Sequence, residues 1–435
     1  SPICNASLIR FCTNCASETD GISISTTRGR LLATTSGAIC NDKVMASPVM
    51  SSRLRCASRS RWRLALRRTF FRCCLFSRLS PSLTPRAYGP IGEPGFYAGD
   101  VTSNFPIELV RAMPKAELHV HLEGTVDATT LLMLAERHGV EPPAASVEAV
   151  DEWYKFDGFP MFLERYFAVL ALVRDPEDFA LIAERYMQTA HAQGVVHLEY
   201  HVSATAHVVD NNKEWASIHD GIVEGCQRAA AATGMTWGLI PDNSPHLSAA
   251  DCARAMDQVF AHNLDHVVAI GMGGPADNWW TDDFASIYAK ARSLGIPGVS
   301  HAAEHGGPAE VIFAIENFEA VRIQHGIGVM SDPVAVAVLV DNAIPCDVCP
   351  GSNLALHAVD SPESHPLPQM LDAGIIVTLG TDDPPMFQTN LLDDYRRAWD
   401  WCDLDEASIR ELARNSIDSS FATDEHKQGW LADLA

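Results

Sequence analysis

Eight short apolar stretches recur from residue 116 onward, and each turns polar or glycine-rich at its end. They occupy residues 116–124, 195–204, 236–244, 266–274, 298–305, 321–329, 345–352 and 375–383. The segments between them have helical spacing. Residues 179–193 place apolar side chains three and four apart and stop at Gly194, and 248–262 and 283–294 behave likewise. Strands that alternate with helices pair in parallel, because a parallel neighbour is reached only through a crossover. Eight such units in about 310 residues predict an α/β fold, a (β/α)₈ TIM barrel. No repeat of solenoid length is present. A long insert between the first two stretches carries Trp153, Tyr154, Phe156, Phe159 and Phe162. It reads either as helices over the barrel mouth or as ordinary core.

The first 92 residues read differently from the remainder. They hold 14 Lys and Arg against 3 Asp and Glu, and 7 of the 12 cysteines. They lack strand or helix alternation. Two expectations follow: an upstream extension with no folded role, which we favour, or an organelle transit peptide, since residues 59–78 are basic, Ser-containing and free of acid. The catalytic domain is therefore expected at 93–435.

That second part has 18 basic against 52 acidic residues, a net charge of −34. Such a surface repels phosphate backbones and excludes nucleic acid as a partner. No run of 18 apolar residues occurs, so no membrane span is expected. Cys226, Cys252, Cys346, Cys349 and Cys402 show no disulfide-scaffold spacing, which suits a reducing compartment and a cytoplasmic location.

His119 and His121 flank Val120 in the first stretch. Residues i and i+2 of a strand share a face, so two imidazoles there can grip one ion, and zinc suits imidazole. A lone His-x-His is weak evidence. The support is positional: His301 and Glu304 end the fifth stretch, His325 the sixth, and Asp382 and Asp383 the eighth. Barrel chemistry collects at the C-terminal ends of the strands. A competing signature is the His-x-Glu followed by Pro-Cys-x-x-Cys of other zinc deaminases. His197-Leu198-Glu199 and Pro345 to Cys349 have those residue types, but four strand units separate them. Cys346 and Cys349 therefore read as core thiols at the start of strand seven, and Glu199 as paired inside the barrel. The run Gly271–Pro275 reads as backbone bared for a ligand or as a plain turn.

These motifs together resemble the adenosine deaminase family of the amidohydrolase superfamily. The likeness runs from about Pro114 to the C-terminus through PKAELHVHLEG (114–124), HAAE (301–304), RIQHGIGV (322–329), VCPGSN (348–353), LGTDDPP (379–385) and LARNSIDSSF (412–421). It implies one divalent metal ion, zinc by expectation, held by His119, His121, His301 and Asp382. It implies that Glu304 protonates the purine ring nitrogen beside the reacting carbon, and that His325 orients the attacking water or deprotonates it. Asp383 and the Gly274 amide would contact ring nitrogens, and Glu123 the substrate's sugar side. The implied activity is hydrolysis of a 6-aminopurine nucleoside, adenosine or deoxyadenosine, to its 6-oxo product and ammonia. Adenine or aminodeoxyfutalosine is the alternative substrate. A catalytically silent metal- or purine-binding protein is the reading from another class, and the intact ligand set with Glu304 and His325 argues against it. Three departures bear on the pocket: Ala303 stands where many members have Gly, Glu123 where nucleoside-specific animal members tend to have Asp, and Gln324 where Gly or Asp is common.

Overall fold

The structure, a computed structural model, describes residues 104–274 and 282–434. The readings of segment 1–92 lie outside the described residues. Eight strands form: β1 (Lys115–His121), β2 (Val195–Val202), β3 (Thr236–Asn243), β4 (Gly271–Met272), β5 (Gly298–Ala302), β6 (Ala320–His325), β7 (Cys346–Val348) and β8 (Val377–Leu379). Each coincides with one predicted stretch. They pair in parallel and in chain order as β1-β2-β3-β4 and β5-β6-β7-β8. Two single bridges close the circle. Val120 bridges to Asp382, with the His121 amide on the Asp382 carbonyl at 2.8 Å, and Ile270 bridges to Gly298. The barrel is the expected TIM barrel.

The helices begin and end where their sequences dictate. Pro176–His191 starts at Asp175, whose carboxylate and that of Asp178 form a capping box, with Pro176 in the first turn. Trp215–Thr233 ends at Gly234, which takes the left-handed conformation (φ 74°) that a side chain would resist. Ala249–Ala261 is capped by Ser248, whose hydroxyl accepts the Asp251 amide at 3.1 Å. Among the described residues, no helix is long and apolar enough to cross a membrane.

The insert between β1 and β2 is helical: Ala128–His138, Val147–Tyr154 and Phe159–Leu170. Both expectations for it apply. Tyr154 is core, with its hydroxyl donating to the Val126 carbonyl at 2.6 Å. Phe159 and Phe162 line the cavity at the barrel mouth, and Phe162 packs on Phe387 with ring centroids 5.0 Å apart.

Below the mouth the barrel is filled by a charged layer. Arg322 on β6, 1% exposed, lies between Glu199 of β2 (Nη2 to Oε2, 2.6 Å) and Asp347 of β7 (Nε to Oδ2, 2.6 Å). Glu199 also accepts the Phe421 amide at 2.6 Å, and the Phe421 ring lies 4.8 Å from the guanidinium carbon. Phe421 follows helix Glu406–Ser419 and packs with Ile240, Ala269 and Val299. The tail motif thus seals the barrel beneath its charged layer. Glu199 is paired inside the barrel, as its place on strand two predicts.

Removing one partner of a buried ion cluster strands the others without water. Arg322→Met leaves two buried carboxylates facing each other. It should lower unfolding stability by about 3–5 kcal/mol, read from urea midpoints. An unchanged midpoint would mean that the layer contributes nothing net.

Candidate active site

Four side chains converge at the C-terminal end of the barrel. His119 and His121 share the inner face of β1, as the i, i+2 rule requires. His301 comes from β5, and Asp382 from just beyond β8. Nε2 of His301 lies 3.1 Å from Nε2 of His119 and 3.2 Å from Nε2 of His121, and Asp382 Oδ1 is 3.2 Å from His121 Nε2 and 3.6 Å from His119 Nε2. One donor atom from each of the four lies within 4.8 Å of the other three.

The hydrogen-bond partners decide what this cluster can be. His119 Nδ1 faces the Asp347 carbonyl at 3.1 Å, and His301 Nδ1 faces the Met272 carbonyl at 2.7 Å. A carbonyl only accepts, so each Nδ1 carries the proton. Burial above all holds both imidazoles well below their usual pKa, so they are neutral. Their Nε2 atoms then present bare lone pairs to each other at 3.1 Å. That arrangement repels unless a cation lies between them, and it is the orientation that metal-ligating histidines adopt. The donor set of three imidazoles and one carboxylate therefore fits a divalent metal ion.

Backbone geometry at the strand ends aims these groups. Asp382 (φ 64°), His325 (φ 63°) and Ala303 (φ 53°) all take left-handed conformations at the ends of their strands. Non-glycine residues rarely do so, and such strain gathers at functional sites. Asp382 is held further by Ser352, whose hydroxyl donates to Oδ2 at 2.6 Å. His325 Nε2 stands 3.6 Å from Glu304 Oε1 and 3.8 Å from Asp382 Oδ2.

A cavity opens over this cluster, lined by His121, Glu304, His325, Asp382, Asp383 and Gly274 among others, with a wall of Phe159, Phe162, Leu163 and Phe167. Two buried carboxylate oxygens there have no protein partner, Glu304 Oε1 and Asp383 Oδ1. Unsatisfied buried acceptors are costly, so both suit contact with a bound molecule. Burial, then the adjacent Asp382, push the Asp383 carboxyl well above the usual range, which keeps a proton on it. Gly124 makes room for it, since a Cβ there would sit 1.8 Å from Asp383 Oδ1.

The sequence candidates divide cleanly. His119, His121, His301, Asp382, Glu304, His325, Asp383 and Gly274 are brought together. Glu123 is not on the cavity. Its fully buried carboxylate accepts from His207 Nε2 (2.9 Å), the Ser203 amide (3.1 Å) and the Tyr166 hydroxyl (3.3 Å), so it supports the lining instead of forming it. The extra methyl of Ala303 is also absent from the lining. It faces Gly328 on the other side of the loop, where a Cβ on that glycine would lie 3.3 Å away. Cys349 lies past the C-terminal end of β7, with Sγ 3.3 Å from His119 Nδ1, which corrects its expected place at the strand's start. Burial raises its thiol well above the usual range, so it remains the protonated thiol of the core reading. In the Gly271–Pro275 run, Gly274 reaches the cavity, whereas Gly271 makes room for Asp242, whose Oδ1 would lie 1.9 Å from a Cβ there.

Four polar residues near the site escaped the sequence reading. His201 and Asp242, paired at 3.0 Å, end β2 and β3 and stand behind His121. The strand-end rule that found the others applies equally to them. Asn353 and His365 come from the chain after β7; Asn353 reaches His325, and His365 reaches Asn353. Nothing periodic marks them.

A parallel eight-stranded barrel that gathers three imidazoles and a carboxylate at its strand ends defines a metal-dependent hydrolase of the amidohydrolase type. Comparison with known proteins agrees and is narrower. Residues 114–435 match the adenosine deaminase family. The adenine deaminase of Streptomyces coelicolor is 35% identical over 326 residues, 74% of this chain and 94% of that protein. The aminodeoxyfutalosine deaminase of Acidothermus cellulolyticus is 35% identical over 302 residues, covering 68% and 84%. The crystal structure of a zinc-bound amidohydrolase from Burkholderia ambifaria superposes with a TM-score of 0.71 at 26% identity, covering 78% of this chain and 94% of that one. The chain belongs to the adenosine deaminase family and is a hydrolytic deaminase acting on a carbon–nitrogen bond.

Two substitutions separate holding the metal from holding the substrate. His301→Ala should reduce the metal bound per chain, measured by elemental analysis, and unchanged content would remove His301 from the ligand set. Gly124→Ala should keep its metal but displace Asp383, lowering kcat/KM by about 100-fold. Full activity in that variant would mean that Asp383 need not stand where it does.

Proposed function

We propose that this protein deaminates adenine, the free base, to hypoxanthine and ammonia, with zinc as its metal. Sequence alone put a nucleoside first and adenine or aminodeoxyfutalosine second. The order is reversed by Glu123. It occupies the position of the family's sugar-side acid, yet its carboxylate is consumed by His207, Ser203 and Tyr166. Some of the polar groups left on the wall are also committed: Tyr166 shares a hydrogen bond with Ser203 at 2.8 Å, and His246 Nε2 with Asp210 at 2.8 Å, which leaves His246 Nδ1 without a partner. The unpartnered carboxylate oxygens on the cavity, on Glu304 and Asp383, are of the kind that the nitrogen edges of a purine would satisfy. A pocket that satisfies the base and offers sugar hydroxyls mainly phenyl and leucyl surface favours the smaller substrate. The names of the adenine deaminases among the relatives point the same way. Zinc is favoured by the nitrogen-rich donor set and by the zinc-bound relative.

His119, His121, His301 and Asp382 would hold the ion. When bound, it supplies the Lewis acidity that makes water nucleophilic near neutral pH. Glu304 acts as the acid toward the ring nitrogen next to the amino-bearing carbon, and protonation there draws electron density from that carbon. Asp383, neutral and buried, donates to a nitrogen of the purine's five-membered ring. The Gly274 amide contacts a third ring nitrogen. His325 stands between Glu304 and Asp382, where it orients the water. The water oxygen bonds to the ring carbon and the C–NH₂ bond breaks; one proton of the water leaves with the amino group as ammonia, and the other restores the acid on Glu304.

The test is ammonia release from adenine, adenosine, deoxyadenosine and aminodeoxyfutalosine by the metal-loaded enzyme. Adenine should exceed the others in kcat/KM by at least about tenfold. A higher value for adenosine or aminodeoxyfutalosine would overturn the base assignment. No release from any of them despite bound metal would overturn the deaminase reading of these purines.

A further inference from the structure

Behind His325 runs a chain of three hydrogen bonds whose donors and acceptors can be assigned without ambiguity. It starts at a backbone amide. The Leu367 N–H, which only donates, meets His365 Nδ1 at 3.0 Å, so Nδ1 is bare and the proton of His365 is on Nε2. His365 Nε2 then donates to Asn353 Oδ1 at 3.2 Å. That contact orients the amide, and its NH₂ faces His325 Nδ1 at 3.2 Å. An amide NH₂ only donates, so His325 Nδ1 must accept, and the ring's single proton is on Nε2. This is the nitrogen that faces Glu304 Oε1 and Asp382 Oδ2.

We propose that Asn353 and His365 are positioning residues that set His325 as its Nε2–H tautomer, so that it meets the attacking oxygen as a hydrogen-bond donor. The geometry of the chain supports this at each link. Asn353, His365 and His325 are all essentially excluded from water, at 0%, 1% and 1% exposure, so solvent cannot substitute for a missing partner. The Asn353 backbone is pinned at the head of helix Pro350–Ala355, with its amide on the Cys349 carbonyl and its own carbonyl accepting from Ala358 at 2.9 Å. Burial, and then His325 itself, lower His365 to about 4, so it remains neutral and keeps a bare Nδ1 for Leu367.

The consequence concerns the division of labour. The sequence reading allowed His325 either to orient the water or to remove its proton. A ring whose Nε2 already carries a proton cannot accept another there. It can steady the oxygen as negative charge grows on it, the role that buried, pre-aimed donors fill best. The inference rests on His325 belonging to the site but not on which aminopurine is the substrate.

The experiment uses the full chain, metal-loaded and substrate-free, labelled with ¹⁵N-histidine. Correlations from ring protons to ring nitrogens report the tautomer, and His325→Gln assigns the resonances. His325 should show Nε2 protonated and Nδ1 bare. Asn353→Asp replaces the donor with a carboxylate and should move a proton onto Nδ1. It should lower kcat by about 10- to 100-fold with KM changed far less, measured on whichever purine the wild type deaminates. His365→Gln keeps a donor near the Nε2 position and should retain more kcat than His365→Leu. A wild-type spectrum with the proton on Nδ1 would overturn the proposal, even if no variant folds. So would an Asn353→Asp enzyme with wild-type kcat. Failure of the adenine assignment would leave the spectrum unchanged, so the two ideas fail separately.

Discussion

The site depends on two backbone carbonyls. Asp347 and Met272 take the Nδ1 protons of His119 and His301 and leave two bare nitrogens 3.1 Å apart. Two neutral imidazoles would ordinarily turn away from such a contact. They are held in it because rotating either ring would lose a buried hydrogen bond and gain none. The metal preference is thus built into the ends of β7 and β4, which contribute no ligand themselves.

The same principle operates farther out, with side chains in place of carbonyls. His325 has its proton assigned through Asn353 and His365 back to a peptide N–H, and Asp382 is oriented by Ser352. The chain behind His325 ends on a peptide N–H, a group that can only donate. Preorganisation of this kind costs nothing at the moment of reaction, because orientation is settled when the chain folds. Left-handed backbone at Ala303, His325 and Asp382 turns the strand ends inward, and missing side chains at Gly124 and Gly271 leave room for the two carboxylates behind them.

A TIM barrel more often fills its interior with layers of branched apolar side chains. Here the layer beneath the site is Glu199, Arg322 and Asp347, capped below by Phe421. Arg322 hydrogen-bonds Glu199 and lies in ion-pair contact with Asp347 at the same time. The departure at Gln324 belongs to this layer, since its amide donates to Asp347 Oδ2 at 3.3 Å. Glu123, by contrast, is committed to His207, Ser203 and Tyr166.

Local pattern was enough for the barrel and for most of the site. Eight apolar stretches with helical spacers admit few folds, because parallel strands need crossovers, and polar residues at the ends of apolar strands have few places to go but a shared mouth. His119, His121, His301, Glu304, His325, Asp382 and Asp383 were legible for that reason. Three things were not. Glu123 has the type and position of a substrate contact, but its direction is set by Ser203, His207 and Tyr166, which arrive from β2 and the insert. Cys349 was placed at the wrong end of its strand because β7 spans only Cys346–Val348. Asn353 lies in the short helix Pro350–Ala355 and His365 beyond it, and their value comes from contacts distant in sequence, Asn353 meeting His325 across 28 residues and His365 meeting Asn353. The sequence determined which groups the barrel mouth would hold, since strand periodicity is a local property. Only the tertiary structure decided which nitrogen carries each proton and which carboxylate is left unpaired, because a hydrogen bond depends on the partner that folding brings to it.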